Sequence, residues 1–126
     1  MDNLKRDECQ AKKDEQLKQI RDRTICLIGS IKQVAEWHYW ADKFTEKGYI
    51  VLDAGCYHSN SDQERWDRVE AVHQIKILSS GYVAYMEKPD GTIGHDTQKE
   101  IEFASKNAIN VYEVNRLDSA LKPWSR

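Results

Sequence analysis

The segment Gly91-Thr92-Ile93-Gly94-His95-Asp96-Thr97-Gln98-Lys99-Glu100-Ile101-Glu102-Phe103-Ala104 joins a polar, glycine-bearing turn to the opening of a helix that carries carboxylates. Glycines ahead of a helix let a ligand come close to the backbone, and the first amides of the helix are left to donate to it. Glu100 has the sharpest chemistry. A carboxylate about one turn into a helix lies near the positive end of the backbone field, which favours its ionised form. Such a group can attack an anomeric carbon and hold a glycosyl intermediate while a base departs. Capture of that intermediate by water gives hydrolysis, and capture by a second base gives transfer. The same residue also reads as an ordinary favourable acid at a helix terminus. Asp96 falls where helix capping is expected, Glu102 is expected on the solvent face, and His95 can orient a hydroxyl or carry a proton. Gly94 and Thr97 complete the turn as candidate ligand contacts.

Other candidates lie on loops. In open parallel sheets the ligand crevice opens beyond the carboxyl ends of the strands. Gly29-Ser30, the stretch from Asp53 to Ser61, and Glu87 to Glu100 are all expected on that edge. Gly29 permits close approach, and Ser30 either caps the following helix or donates to an anion. Tyr57 can stack on a base or donate its hydroxyl, with His58 beside it as a further candidate. No glycine-lysine phosphate-loop signature occurs. His58 and His73 form no metal constellation with a third ligand, and His73, three residues before Lys76, is expected to face solvent. No metal and no cofactor are expected. Cys9, Cys26 and Cys56 are odd in number and scattered, which reads as reduced thiols with structural or incidental roles.

The elements that must position these residues follow from periodicity. Residues 3–22 are polar and rich in helix formers, with Leu4, Leu17 and Ile20 as a thin apolar stripe, and read as a helical arm. Thr24–Ile28 is a continuous apolar run ended by Gly29-Ser30 and reads as a central strand. A helix is expected from Ser30 to Lys47-Gly48, with Trp37, Trp40 and Phe44 in its apolar pattern. Tyr49–Leu52 follows as a strand, completing a strand–helix–strand unit that favours a parallel sheet with right-handed crossover. After the loop from Asp53 to Asp62, a helix over Glu64–Leu78 is expected to carry Trp66, Val69, Val72, Ile75 and Leu78 on recurring positions, the tryptophan serving core or subunit packing. Strand three is expected at Tyr82–Met86, a turn at Pro89-Asp90-Gly91, a helix at Thr97–Lys106 and a fourth strand at Ile109–Val114. The tail has no clear periodicity, though Leu117, Leu121 and Trp124 can cover a surface groove.

These elements predict a three-layer α/β domain, flavodoxin-like or Rossmann-like, around a mostly parallel sheet of about four or five strands. Residues 1–22 form a helical N-terminal extension and 23–126 the compact domain. At 126 residues and 40% hydrophobic, the chain has room for one core. With 19 Lys plus Arg against 21 Asp plus Glu, the net charge of -2 gives no global argument for binding nucleic acid. No apolar run approaches the roughly 20 residues that span a bilayer, and a charged segment follows Met1, so a cytoplasmic location without membrane contact is expected.

Ile25-Cys26-Leu27-Ile28-Gly29-Ser30 and the segment Gly94 to Ala104 together resemble the nucleoside 2-deoxyribosyltransferase superfamily, which includes deoxynucleoside monophosphate N-glycosidases. The chain looks like a divergent, compact member over about Thr24 to Val114. The resemblance implies cleavage or transfer at the N-glycosidic bond of a deoxynucleoside or its monophosphate, with Glu100 as nucleophile. It also implies ligand contact near Gly29 and Ser30, a hydroxyl position at Thr97, and a homo-oligomer in which a neighbour completes the pocket. Relatives carry an acid near the end of the helix before strand three, where this chain has Leu78. A second acidic position is occupied by Gly81, the strand-end asparagine by Glu87, and a glycine two residues after the nucleophile by Glu102. Glu87 or Asp90 is the expected substitute for the missing polar contacts, since leucine cannot hydrogen-bond a sugar. The alternative is a catalytically inactive nucleotide-binding or regulatory protein.

Overall fold

The computed structural model describes residues 3–30, 32–53 and 63–125, with side chains from residue 7 onward. Helix α1 (Asn3–Asp22) leads into strand β1 (Thr24–Ile28), followed by α2 (Val34–Glu46), β2 (Ile50–Asp53), α3 (Gln63–Leu78), β3 (Tyr82–Tyr85), α4 (His95–Lys106), β4 (Asn110–Glu113) and α5 (Val114–Ala120). Among the described residues the four strands make one sheet in the order β2-β1-β3-β4, every pair parallel. This is the flavodoxin-like order, whose direction of winding reverses between β1 and β3. The ladder runs one step past β3, where Met86 N donates to Ile28 O at 3.0 Å. The loops after β1 and β3 therefore leave the sheet side by side.

Helices cover both faces, giving three layers. β1 is one of the two inner strands and is buried along its whole length, as its unbroken apolar run requires. Its side chains alternate between two cores. Ile25 and Leu27 pack with Trp37, Trp40 and Phe44 of α2 and with Val114 and Leu117 of α5. Cys26 and Ile28 pack with Ile77 of α3 and Ala104 of α4. Cys26 is sealed in, and its burial pushes the thiol up to about 12, so it stays protonated and inert at neutral pH.

Several element boundaries differ from expectation. α2 starts at Val34, just after Gln33, whose N donates to Ser30 O at 3.1 Å. α4 starts two residues early, at His95. Strand four ends at Glu113, whose carboxylate caps a helix that periodicity alone does not reveal: Glu113 Oε2 accepts from Asn115 N at 2.8 Å, and α5 begins at Val114. The apolar face of α3 also differs. Ile77 is buried, while Val72, Ile75 and Leu78 stay exposed.

Two contacts fix the end of the sheet away from the strand carboxyl termini. Trp124 N donates to Lys47 O at 2.7 Å, and its ring meets Tyr49 edge-on at 5.6 Å beneath Arg23. Gly81, just before β3, faces the end of α1 so closely that a Cβ there would lie 2.6 Å from the Arg21 carbonyl oxygen. Among the described residues no helix is long and apolar enough to cross a membrane.

Candidate functional site

A cleft of about 610 Å³ opens between α3 and α4 at the carboxyl end of the sheet, beside the reversal point between β1 and β3. Its volume is within the usual range for small-molecule sites. Three stretches converge on it: Gly29-Ser30 after β1, Gly94 to Thr97 at the start of α4, and one face of α3.

The α3 face is Trp66, Val69, Glu70, His73, Gln74 and Ile77, spaced three, four, seven, eight and eleven residues from the first. That is one stripe of an α-helix. The expected set of 66, 69, 72, 75 and 78 advances by threes, and at ~100° per residue each step falls ~60° short of a full turn, so those positions wind around the helix. Ile77 fixes the rotation by burying itself against the sheet; His73, one turn earlier, then points at α4. Trp66 is thus 38% exposed at the cleft wall rather than in the core.

Glu100 lines the same cleft from α4. Its Oε1 lies 3.7 Å from His73 Nδ1, and the two side chains are only 22% and 12% exposed. The histidine expected in solvent therefore stands beside the expected nucleophile. Because the cap of α4 is Gly94, Glu100 sits six residues in, in the second turn, where the backbone field has largely faded. Burial pushes its carboxyl above the ordinary 4.5; His73 pulls the other way, and Asp96 and Glu70 add to the upward push. Burial, rather than the helix terminus, is the largest influence on this carboxyl.

The remaining sequence candidates separate into three groups. Gly29, Ser30, Gly94, His95 and Thr97 line the cleft with Glu100. Ser30 is already engaged: its carbonyl accepts from Trp37 Nε1 at 2.9 Å, its amide donates to Gln33 Oε1 at 3.3 Å, and its Oγ accepts from Lys32 N. Gln33 also donates to Glu87 O at 2.7 Å, tying the loops after β1 and β3 together. Asp96 lies in the first turn of α4 rather than at its cap.

Glu87 and Asp90 are absent from the described cleft lining. The Glu87 side chain is exposed. Asp90 closes a turn, accepting from Thr92 Oγ1 at 2.6 Å and Thr92 N at 2.9 Å, and the hydroxyl bond holds its carboxyl below the ordinary range. Gly91 completes that turn at a φ of 82, a left-handed conformation that glycine adopts without strain. Tyr57 and His58 lie outside the described residues.

The departures from the resemblance also acquire a location. Leu78 ends α3 with its side chain 40% exposed, away from the cleft lining. Gly81 lies at the opposite end of the sheet, where any side chain would collide with the Arg21-Asp22 backbone. Glu102 is exposed. Sequence reading missed His73, Glu70, Lys88 and Lys99 as cleft residues; the first two were legible from the stripe through Trp66 and Ile77. Chemically, the cleft offers one partly buried carboxylate with an imidazole beside it, an apolar wall at Trp66 and Phe103, and polar groups near Gly29 and Gly94. Comparison of the chain with protein-family models, with curated proteins and with solved structures finds no match.

Proposed function

We propose that the α3–α4 cleft takes a deoxynucleoside or its monophosphate and that Glu100 opens the N-glycosidic bond. The observation that carries this reading is the placement of one poorly hydrated carboxylate, 3.7 Å from an imidazole, in a cleft of nucleoside size. Trp66 and Phe103 give a base an apolar surface, while Gly29, Ser30 and the opening of α4 suit the hydroxyls or phosphate of the sugar. In the reaction an oxygen lone pair of ionised Glu100 forms a bond to the anomeric carbon as the carbon–nitrogen pair leaves with the base, which gains a proton from its surroundings. Water, losing a proton, then displaces Glu100 and regenerates the carboxylate; a second base in place of water gives transfer. Burial makes the ionised group more basic and hence a stronger nucleophile once the pH exceeds its raised value.

The test is incubation with a panel of deoxynucleosides and monophosphates, with and without an acceptor base. The wild-type chain releases base and Glu100→Gln is slower by ~10³-fold or more. Absence of release across the panel overturns the reading. A second reading, ligand binding without turnover, follows from Leu78, which stands where the resembled enzymes carry an acid and cannot hydrogen-bond a sugar. It expects Glu100→Gln, which keeps a neutral donor, to bind the panel as the wild type does. The exposed stripe of Val72, Ile75 and Leu78 on the other side of α3 supports assembly as a homo-oligomer, which sedimentation measures directly.

A further inference from the structure

We propose that His73 is the positioning residue for Glu100: it holds one carboxylate oxygen across the gap between α3 and α4, leaving the other to face the ligand. The proposal rests on the glycosidic reading of the cleft and names a role on a helix where the resemblance supplies only Leu78.

The geometry is set by rigid elements. Ile77, 1% exposed, seats α3 on the sheet, and Ala104 with Thr97, both buried, seats α4. With both helices fixed in rotation, His73 and Glu100 meet from facing sides at 3.7 Å. That is longer than a hydrogen bond of about 2.7–3.2 Å, and a small side-chain rotation closes it. A carboxylate with nothing beside it turns freely about its last torsion, yet attack needs one oxygen within about 3–3.5 Å of the carbon and correctly aimed. An imidazole at Oε1 removes that freedom.

The surrounding charges make His73 necessary as well as convenient. Glu70 from α3 and Asp96 from α4 both disfavour the ionised form of Glu100, in addition to burial. Beneath them on β1, Cys26 is a protonated thiol at neutral pH. Lys88, His95 and Lys99 are the other basic groups lining the cleft, and Lys76 is engaged with Asp53 O at 2.7 Å. Of these, His73 is the one within ion-pair distance of Glu100 among the described residues.

The experiment compares His73→Leu and His73→Gln with the wild type, with thermal unfolding as the check on folding. The Glu100 carboxyl carbon is followed by NMR through a pH titration, its signal assigned by its loss in Glu100→Gln. In His73→Leu the Glu100 midpoint moves to higher pH, and base release falls by about 10²-fold in kcat with KM changed much less. His73→Gln, which still donates a hydrogen bond, recovers most of that kcat. An unmoved Glu100 titration in a folded His73→Leu overturns the proposal, as does wild-type kcat in both variants. If the wild type releases no base, the glycosidic reading fails by itself, and the titration alone then decides whether His73 holds Glu100.

Discussion

The two faces of the sheet use alternate residues of the same strand to opposite ends. Towards α2 and α5, Ile25 and Leu27 meet a sealed layer in which Trp37, Trp40, Phe44, Val114 and Leu117 are all buried and the Trp40 and Phe44 rings stack at 5.6 Å. Lys43 of α2 and Lys47 just after it meet Asp118 of α5, at 3.1 Å and 2.7 Å. Towards α3 and α4, Cys26 and Ile28 meet a layer held mainly through Ile77 and Ala104, and the space between those helices is the cleft. One face is filled with large side chains; the other is thin where the cleft opens. A scaffold that is rigid on one side can leave polar, poorly hydrated groups standing on the other.

Substitutions sharpen this contrast. Phe44→Ala, in the sealed layer, is expected to cost about 3–5 kcal/mol, whereas Trp66→Ala at the cleft wall costs about 1 kcal/mol or less, both read from urea midpoints. Equal losses would mean that the two layers are packed alike. Asp118→Asn is next, at about 1 kcal/mol or less at neutral pH, since the lysines it meets are partly hydrated.

The two acids also differ in sign. Burial of Asp118 opposes its charge, but Lys47 and Lys43 together hold its carboxyl below the ordinary 3.8. The folded chain binds its proton less readily than the unfolded chain. This contribution is therefore complete above 3.8 and is lost as pH falls through the lower folded value. Glu100 is displaced upward by burial, so its contribution is complete below 4.5 and lost as pH rises through the higher folded value. Glu100→Gln should accordingly raise the urea midpoint at pH 7 and leave it unchanged well below 4.5, whereas the effect of Asp118→Asn vanishes on acidification from the opposite side. The smallest expected effect is at Ile75, 61% exposed: Ile75→Gln should alter the stability of one chain by under about 0.5 kcal/mol, yet lower the sedimenting mass if the α3 stripe joins two copies.

The legible parts of the sequence were those where one strong pattern dominated. The apolar run of β1 and the Trp37-Trp40-Phe44 spacing of α2 each permit one packing, and the parallel order follows from short connections. α5 was hidden because its seven residues are mostly polar and its start is decided by the Glu113 cap rather than by periodicity. In the cleft, Gly29, Ser30, Gly94, His95, Thr97 and Glu100 were found from their place at strand ends and at a helix opening. His73 was not, because its role depends on the rotation of α3, and that is fixed by Ile77 meeting the sheet. Glu87 and Asp90 are neighbours of the site along the chain, but the Glu87 side chain is exposed and Asp90 is held in a local turn by Thr92.

The heading of α1 is settled by main chain against main chain, at the close approach of Gly81 to Arg21 and Asp22, together with Thr24 Oγ1 donating to Ile20 O at 2.6 Å. From residue 7 to residue 22 the side chains of this helix are exposed. Its surface can therefore be rewritten in charge and polarity without re-aiming it, provided that position 81 keeps its hydrogen in place of a side chain.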